Sequence, residues 1–309
     1  MQRRSLQLTL MLSGALLAAA ADAPKTFGTP EEARDALLQA VAGGVDAVKA
    51  LLGPEVTDVV KTGDPVEDQK RIDDFKRRAM VKTQLQADEG DPNRMVLLVG
   101  EDAWPLAIPL RRKDGRWYWD LQEGKQEIRY RTIGANELDA IQVCQGYVAA
   151  QLQYAATDWD GDRIHQYARK IISTPGKKDG LYWEGEDSPV SGAFAKAFAE
   201  GYTNLASKAQ PFHGYYFKIL TSQGAAANGG FRDYIVHDRM IGGFALLAWP
   251  AEYGASGIKS FMVNQEGVVY EKDLGHQTMA IAKATSRFNP DSTWEISPDQ
   301  ESDDQEAEQ

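Results

Sequence analysis

Apolar and polar residues alternate with a period of two through much of the stretch from His213 to Leu274, which predicts an antiparallel meander. Tyr215, Phe217 and Ile219 fall on one face of a first strand, with Tyr216, Lys218 and Leu220 on the other. Phe244, Leu246 and Ala248 alternate with Ala245, Leu247 and Trp249 up to Pro250, which cannot donate to a ladder and so ends a central strand. Gly254 and Gly257 bracket a bend into a strand over Lys259–Asn264. The run Asn264-Gln265-Glu266-Gly267 then turns the chain into Val268–Lys272, with Asn and Gly where a type I turn favours them. A further hairpin, Asp233–Val236 against Arg239–Ile241, turns at His237-Asp238.

Upstream the period changes. Thr29-Pro30-Glu31-Glu32 is a capping box with proline at the first helical position, and Ala33, Ala36, Leu37, Ala40 and Val41 give that helix an apolar face until Gly43-Gly44 stops it. A second helix around Ala47–Leu52 ends at Gly53-Pro54, and Ile72, Phe75 and Ala79 mark a third. Strands follow at Val81–Gln86, Met95–Val99, Leu106–Leu110 and Arg116–Leu121, the last two joined at Lys113-Asp114-Gly115. Ile133–Ala156 is a long amphipathic helix, and Ala193–Glu200 a short one in a loop-rich region. Helices on one face of an antiparallel sheet define an α+β class, and the element order of the first half is analogous to the cone-shaped folds of the nuclear-transport-factor-two or cystatin type.

Met1–Ala21 has the form of an export signal: Arg3 and Arg4, an apolar run Leu6–Leu17, then small residues over Ala18–Ala23. Its removal takes the two arginines and moves the formal charge from −11 to −13. Residues 22–131 and 132–296 then form two lobes, and 297–309 an acidic tail that composition predicts to be disordered. No second long apolar run follows, so the mature chain is expected to carry no transmembrane segment and to be periplasmic or secreted. The acidic balance argues against nucleic acid, whose binding rests on lysine and arginine neutralising phosphates.

Two resemblances attach to these residues. The Gly-Phe-x-x-x-Ala-x-Pro run at Gly243–Pro250, with Gly254 and Gly257, the Phe261 strand and Gly267–Tyr270, is similar to the C-terminal sheet of bacterial pseudopilins. The long helix before the sheet adds to that likeness, whereas the chain lacks the continuous apolar helix and the prepilin motif with which pilins begin. Across nearly the whole chain, Phe27–Ala33, Asp102–Leu110, Ile133–Cys144, Ser173–Trp183 and Ala248–Gly257 resemble the exported bacterial family catalogued as domain of unknown function 2950. That resemblance implies export and carries no activity.

Candidate chemistry is sparse. The one cysteine, Cys144, continues an apolar stripe with Ile141, Val148, Leu152 and Ala155, and reads as a core thiol. His165, His213, His237 and His276 lack paired ligand spacing, so a zinc site is not expected. Ser256 lacks the second glycine of a nucleophile elbow, because Ile258 stands there. Gly224–Gly230 lacks the Lys and Ser/Thr of a phosphate loop and reads as a flexible hairpin end. Trp104, Tyr182, Trp183, Trp249 and Tyr253 are the aromatic candidates for stacking on a glycan or peptide. Asp158, Asp160 and Asp162 resemble the start of a calcium loop, but Arg163 replaces the glycine of position 6 and Arg169 the bidentate Glu of position 12. No cofactor is expected; weak Ca2+ binding at the three aspartates is the one exception. These features point to a non-catalytic binding or assembly role with an envelope protein or glycan as partner. The alternative is an envelope hydrolase using paired carboxylates beside an aromatic cleft.

Overall fold

The computed structural model describes residues 25–57, 65–185, 187–191 and 211–301. The expected leader, the expected Ala193–Glu200 helix and most of the acidic C-terminal segment lie outside the described residues. Contacts divide the chain into two compact units after Ile128.

In the first unit the capping box forms with its return bond taken one residue early, at Gly28 rather than Thr29. The Thr29 hydroxyl accepts from the Glu32 amide at 3.2 Å, the Glu32 carboxylate accepts from the Gly28 amide at 2.9 Å, and helix α1 runs Pro30–Gly43. Helices α2, Val45–Leu52, and α3, Pro65–Val81, follow. The sheet comprises β1 (Thr83–Ala87), β2 (Arg94–Val99), β3 (Trp104–Pro105), β4 (Leu110–Lys113) and β5 (Arg116–Trp119), in the antiparallel order β1-β2-β4-β5 with β3 also on β2. Of the expected strand over Leu106–Leu110, residues 106–109 are instead a bent connection between β3 and β4, both of which pair with β2, and Leu110 opens β4. Ala33, Leu37, Leu51, Leu97, Leu110 and Trp119 form this unit's core. Over it, Glu123 bridges two arginines, accepting from Arg94 Nε and Arg111 Nε at 2.7 Å each.

The long helix, α4, spans Leu121–Ala155 and so begins twelve residues before the expected Ile133. Asp120 starts it: its carboxylate accepts from the Gln122 and Glu123 amides at 3.1 and 3.0 Å, the geometry of an N-cap. Gly124 belongs to this first turn because a Cβ there would stand 2.6 Å from Ile108 Cγ1. The apolar stripe of α4 also differs from the expected one. Leu152 is exposed, while Cys144, Tyr147, Gln151 and Tyr154 are buried. Gln151 is accommodated by full pairing: its amide donates to Ala168 O and Tyr147 Oη and accepts from Ala168 N.

The second unit's main sheet has the order β14-β13-β12-β11-β6, all antiparallel, with β6 at Tyr215–Leu220, β11 at Ala245–Pro250, β12 at Lys259–Asn264, β13 at Tyr270–Asp273 and β14 at Glu295–Ile296. Two short pairs, β7 (Ser222–Gln223) with β8 (Arg232–Asp233) and β9 (Ile235–Val236) with β10 (Arg239–Met240), lie beside it in sequence. Every residue of β11 is buried, because the central strand is covered on both faces, and Pro250 is its last residue. Phe217, Phe261 and Tyr215 share one core with Cys144 and Tyr147 of α4. Helix α5, Thr278–Ala284, ends where Lys218 Nζ donates to the Lys283 and Thr285 carbonyls at 3.0 and 2.6 Å.

Of three loop readings, one holds and two come out differently in detail. His237 and Asp238 both take positive φ, 47° and 62°, and form the two-residue turn expected of that hairpin. The Gly224–Gly230 stretch is tied rather than loose, since Asn289 accepts from Ala226 N at 2.8 Å and Gln223 donates to the Asn228 and Gly230 carbonyls. Where the acidic tail was expected to begin, Ser297 is buried, its amide donates to Val269 O at 2.9 Å, and Pro298–Glu301 is a 3-10 turn. Among the described residues, no helix is long and apolar enough to cross a membrane.

Candidate functional site

Polar side chains on one face of α4 meet the ends of the second unit's sheet. Asn136 Nδ2 donates to Ser256 O at 2.8 Å, and one Glu137 oxygen accepts from the Ile258 and Lys259 amides at 2.8 and 2.9 Å. Beside them Asp139 holds His213 Nδ1. The imidazole also stacks on Phe212, with centroids 4.0 Å apart, and its backbone takes a φ of 43°, uncommon for a residue other than glycine. A carboxylate on Nδ1 leaves Nε2 to accept or deliver a proton, and half the side chain faces solvent. Ser256, close by in the same corner, is engaged in its own turn. Its hydroxyl accepts from Glu252 N at 3.0 Å and donates to Glu252 O at 3.2 Å. The corner thus offers an oriented base. Nothing in the separation of Asp139 and His213 along the sequence reveals their pairing; only the fold does.

The aspartate loop is built as a turn. One Asp158 oxygen accepts from the Gly161 amide at 2.9 Å and the Asp162 amide at 3.3 Å, and the other from Arg163 N at 2.7 Å. These amides, Arg163's foremost, hold the Asp158 carboxyl below its ordinary range. Arg163 takes a φ of 68°, the left-handed conformation that a calcium loop gives to glycine. Arg239 reaches in from β10 to pair with Asp162 and lies 4.0 Å from Asp160, so a guanidinium sits among carboxylates that would otherwise face a cation. Gln166 donates to Asp160 at 2.6 Å. Arg169 is turned elsewhere, donating to Asp238.

The aromatic candidates have different settings. Trp249 has no exposed surface and belongs to the core. Trp183 packs edge-on against Trp159, with Lys178 Nζ 5.0 Å above its ring and its indole N–H donating to Asp187 at 2.8 Å. Tyr182 is half-buried in a bridge with Ile172. Tyr253 donates to Asp273 at 3.1 Å beside His276; burial and that carboxylate push its phenol up. Trp104 lies in the first unit on β3, partly exposed.

A different surface stands out in the first unit. The outer edge of β5 is closed, because Phe27 exchanges both backbone hydrogen bonds with Trp117 at 2.7 and 2.9 Å. The outer edge of β1 has no such cover among the described residues. Lys82 O accepts from Gly100 N and Asp88 N donates to Arg94 O, which fixes the even-numbered residues as those bonded to β2. The N–H and C=O groups of Thr83, Leu85 and Ala87 therefore point outward. Directly ahead of them, Met80 and Val81 are 82% and 58% exposed.

An α+β protein with helices against antiparallel sheets, one open at its edge, is the class that this architecture defines. The chain belongs to the family described as protein of unknown function (DUF2950), which matches residues 24–296. No curated protein and no solved structure matches it, so the pseudopilin likeness of the second sheet stands on sequence alone.

Proposed function

We propose that this is an exported protein of the cell envelope that works by binding another polypeptide, as an assembly factor. The observation that carries the reading is the open edge of β1 beside the exposed Met80 and Val81. A row of outward N–H and C=O groups matches another extended strand, which favours a protein partner over a glycan. The leader pattern at Met1–Ala21 supports the periplasm or the exterior as its place of action. In this reading the protein uses no cofactor, and calcium is at most a weak ligand at Asp158, Asp160 and Asp162, where Arg239 already supplies positive charge. Affinity capture from envelope extract tests the proposal, with Ala87→Pro as comparison. Proline there removes only an outward N–H and so blocks the edge without breaking the ladder. Components held by the wild type and lost by the variant are expected; identical captures by both would defeat the reading.

A second reading has its own observation. The Asp139–His213 pair supports a hydrolase in which His213 is the general base. Turnover of ester, peptide or glycan reporters, lost in His213→Gln with the fold intact, would favour it over binding.

A further inference from the structure

We infer that the first partner of the open β1 edge is a second copy of this chain, paired antiparallel about a two-fold axis at Leu85. The inference rests on the binding reading and names its partner.

The strand with its flanks reads Lys82-Thr83-Gln84-Leu85-Gln86-Ala87-Asp88. Folded onto a copy of itself about Leu85, it places Thr83 opposite the partner's Ala87, Gln84 opposite the partner's Gln86 and Lys82 opposite the partner's Asp88. Each of these pairings occurs twice. The outward backbone groups belong to Thr83, Leu85 and Ala87. In this register, and in no register shifted by one residue, those groups oppose one another and form hydrogen-bonded pairs along the whole strand.

The side chains agree with the backbone. Lys82 is exposed and makes no ion pair among the described residues, and across the axis it meets a carboxylate. Asp88 already accepts from Gly90 N and Arg94 at 2.8 Å each, which orders it at the strand's end. Gln84 and Gln86 are exposed on the same face as Lys82 and Asp88, so amides meet amides there. On the other face Leu85, which packs against its own unit's core, meets its symmetry mate. The two sheets then run on as one. An isologous contact of this kind consumes the edge in both copies and closes the assembly at a dimer. The strand also carries none of the usual guards of an edge: no proline, no inward-pointing charge and no bulge.

Sedimentation equilibrium on the purified chain, followed by a register test, decides the matter. A strand-edge contact lies at the small end of interface sizes, so dimer should populate at roughly 100 µM and dissociate on dilution. Ala87→Pro and, separately, Lys82→Glu should remain monomeric at that concentration with unchanged thermal unfolding. The register is read by mixing Gln84→Cys with Gln86→Cys under mild oxidation. Opposed residues of a non-hydrogen-bonded pair have Cα atoms about 4.5 Å apart, within disulfide reach. The mixture should cross-link between chains while neither variant does so alone. A chain that stays monomeric, or a dimer that survives Ala87→Pro, overturns the inference. If the monomeric wild type still captures an envelope component that Ala87→Pro does not, the binding reading stands and only the second copy is lost.

Discussion

Replacing Phe261 by alanine should cost the second unit about 4 kcal/mol. Phe261 is 1% exposed in the middle of β12, between β11 and β13. Its cross-strand neighbours are Ala248 and Glu271, and the Tyr215 ring has its centroid 5.9 Å away. Loss of the buried side chain alone removes roughly 1.5–3 kcal/mol of transfer free energy. The cavity term adds to this, and here it stays near its full size. Ala248 has only a methyl group, too short to move into the space, and Tyr215 is held by its hydrogen bond to Lys259 O at 2.8 Å. That places the substitution in the upper half of the roughly 3–5 kcal/mol range for phenylalanine truncation. Phe261→Leu keeps most of the volume and should cost less than half as much. Amide hydrogen exchange followed by residue is the assay, because it separates the two units. Protection of the slowest amides in β11 and β12 should fall by about three powers of ten, about 1.4 kcal/mol to each, while β2 keeps its rates. A loss below about 1 kcal/mol, or an equal loss in both units, would refute the assignment of Phe261 to this core.

Further outcomes follow from the same geometry. Cys144 is fully buried and its thiol is pushed up to about 12, so a thiol reagent should label it slowly in the native state and at once in denaturant; rapid native labelling would contradict its place in the core. Asp158, held low by backbone amides, stabilises the fold above its unfolded pKa, and that contribution is lost as pH falls through the folded value. Melting temperature should therefore drop below about pH 4, and Asp158→Asn should flatten that drop; an unaltered acid profile would count against the turn. Calorimetric titration should find calcium binding no tighter than about 10⁻⁴ M, and Arg239→Ala should tighten it by removing the resident cation. Micromolar affinity in the wild type, abolished by Asp160→Asn, would show that calcium rather than Arg239 holds the loop.

Where local chemistry decides the structure, the sequence was enough to read it. The Thr29 hydroxyl caps the Glu32 amide while the Glu32 carboxylate caps that of Gly28, and His237-Asp238 closes a hairpin, because these interactions span few residues. The early start of α4 escaped the periodicity argument, since Gln122–Arg131 is rich in polar residues and carries Gly124. The signal that would have found it is Asp120 followed three residues later by Glu123. Gln151 and Leu152 exchange their expected places because Ala168 offers the glutamine both a donor and an acceptor, which no helical wheel can show. The site residues were the least legible. Asp139 and His213 are brought together by the fold, Arg239 enters the aspartate loop from another strand, and Trp249 is buried by neighbours on both sides.

The tie at Phe27 decides what kind of object the first sheet can build. Arg116 reinforces it by donating to Thr26 Oγ1 and to the Thr26 carbonyl at 2.8 and 2.9 Å. A slab with one sticky side makes pairs and stops; a slab with two makes a ribbon of unlimited length. A chain shortened past Phe27 would expose β5 as a second such side and would take one buried ring from the first unit's core, leaving the core of the second unit in place. Thr26 and Phe27 thus act as a chain terminator in the polymer chemist's sense. An expression tag or a trimming protease that disturbs them would turn a finite assembly into a growing one.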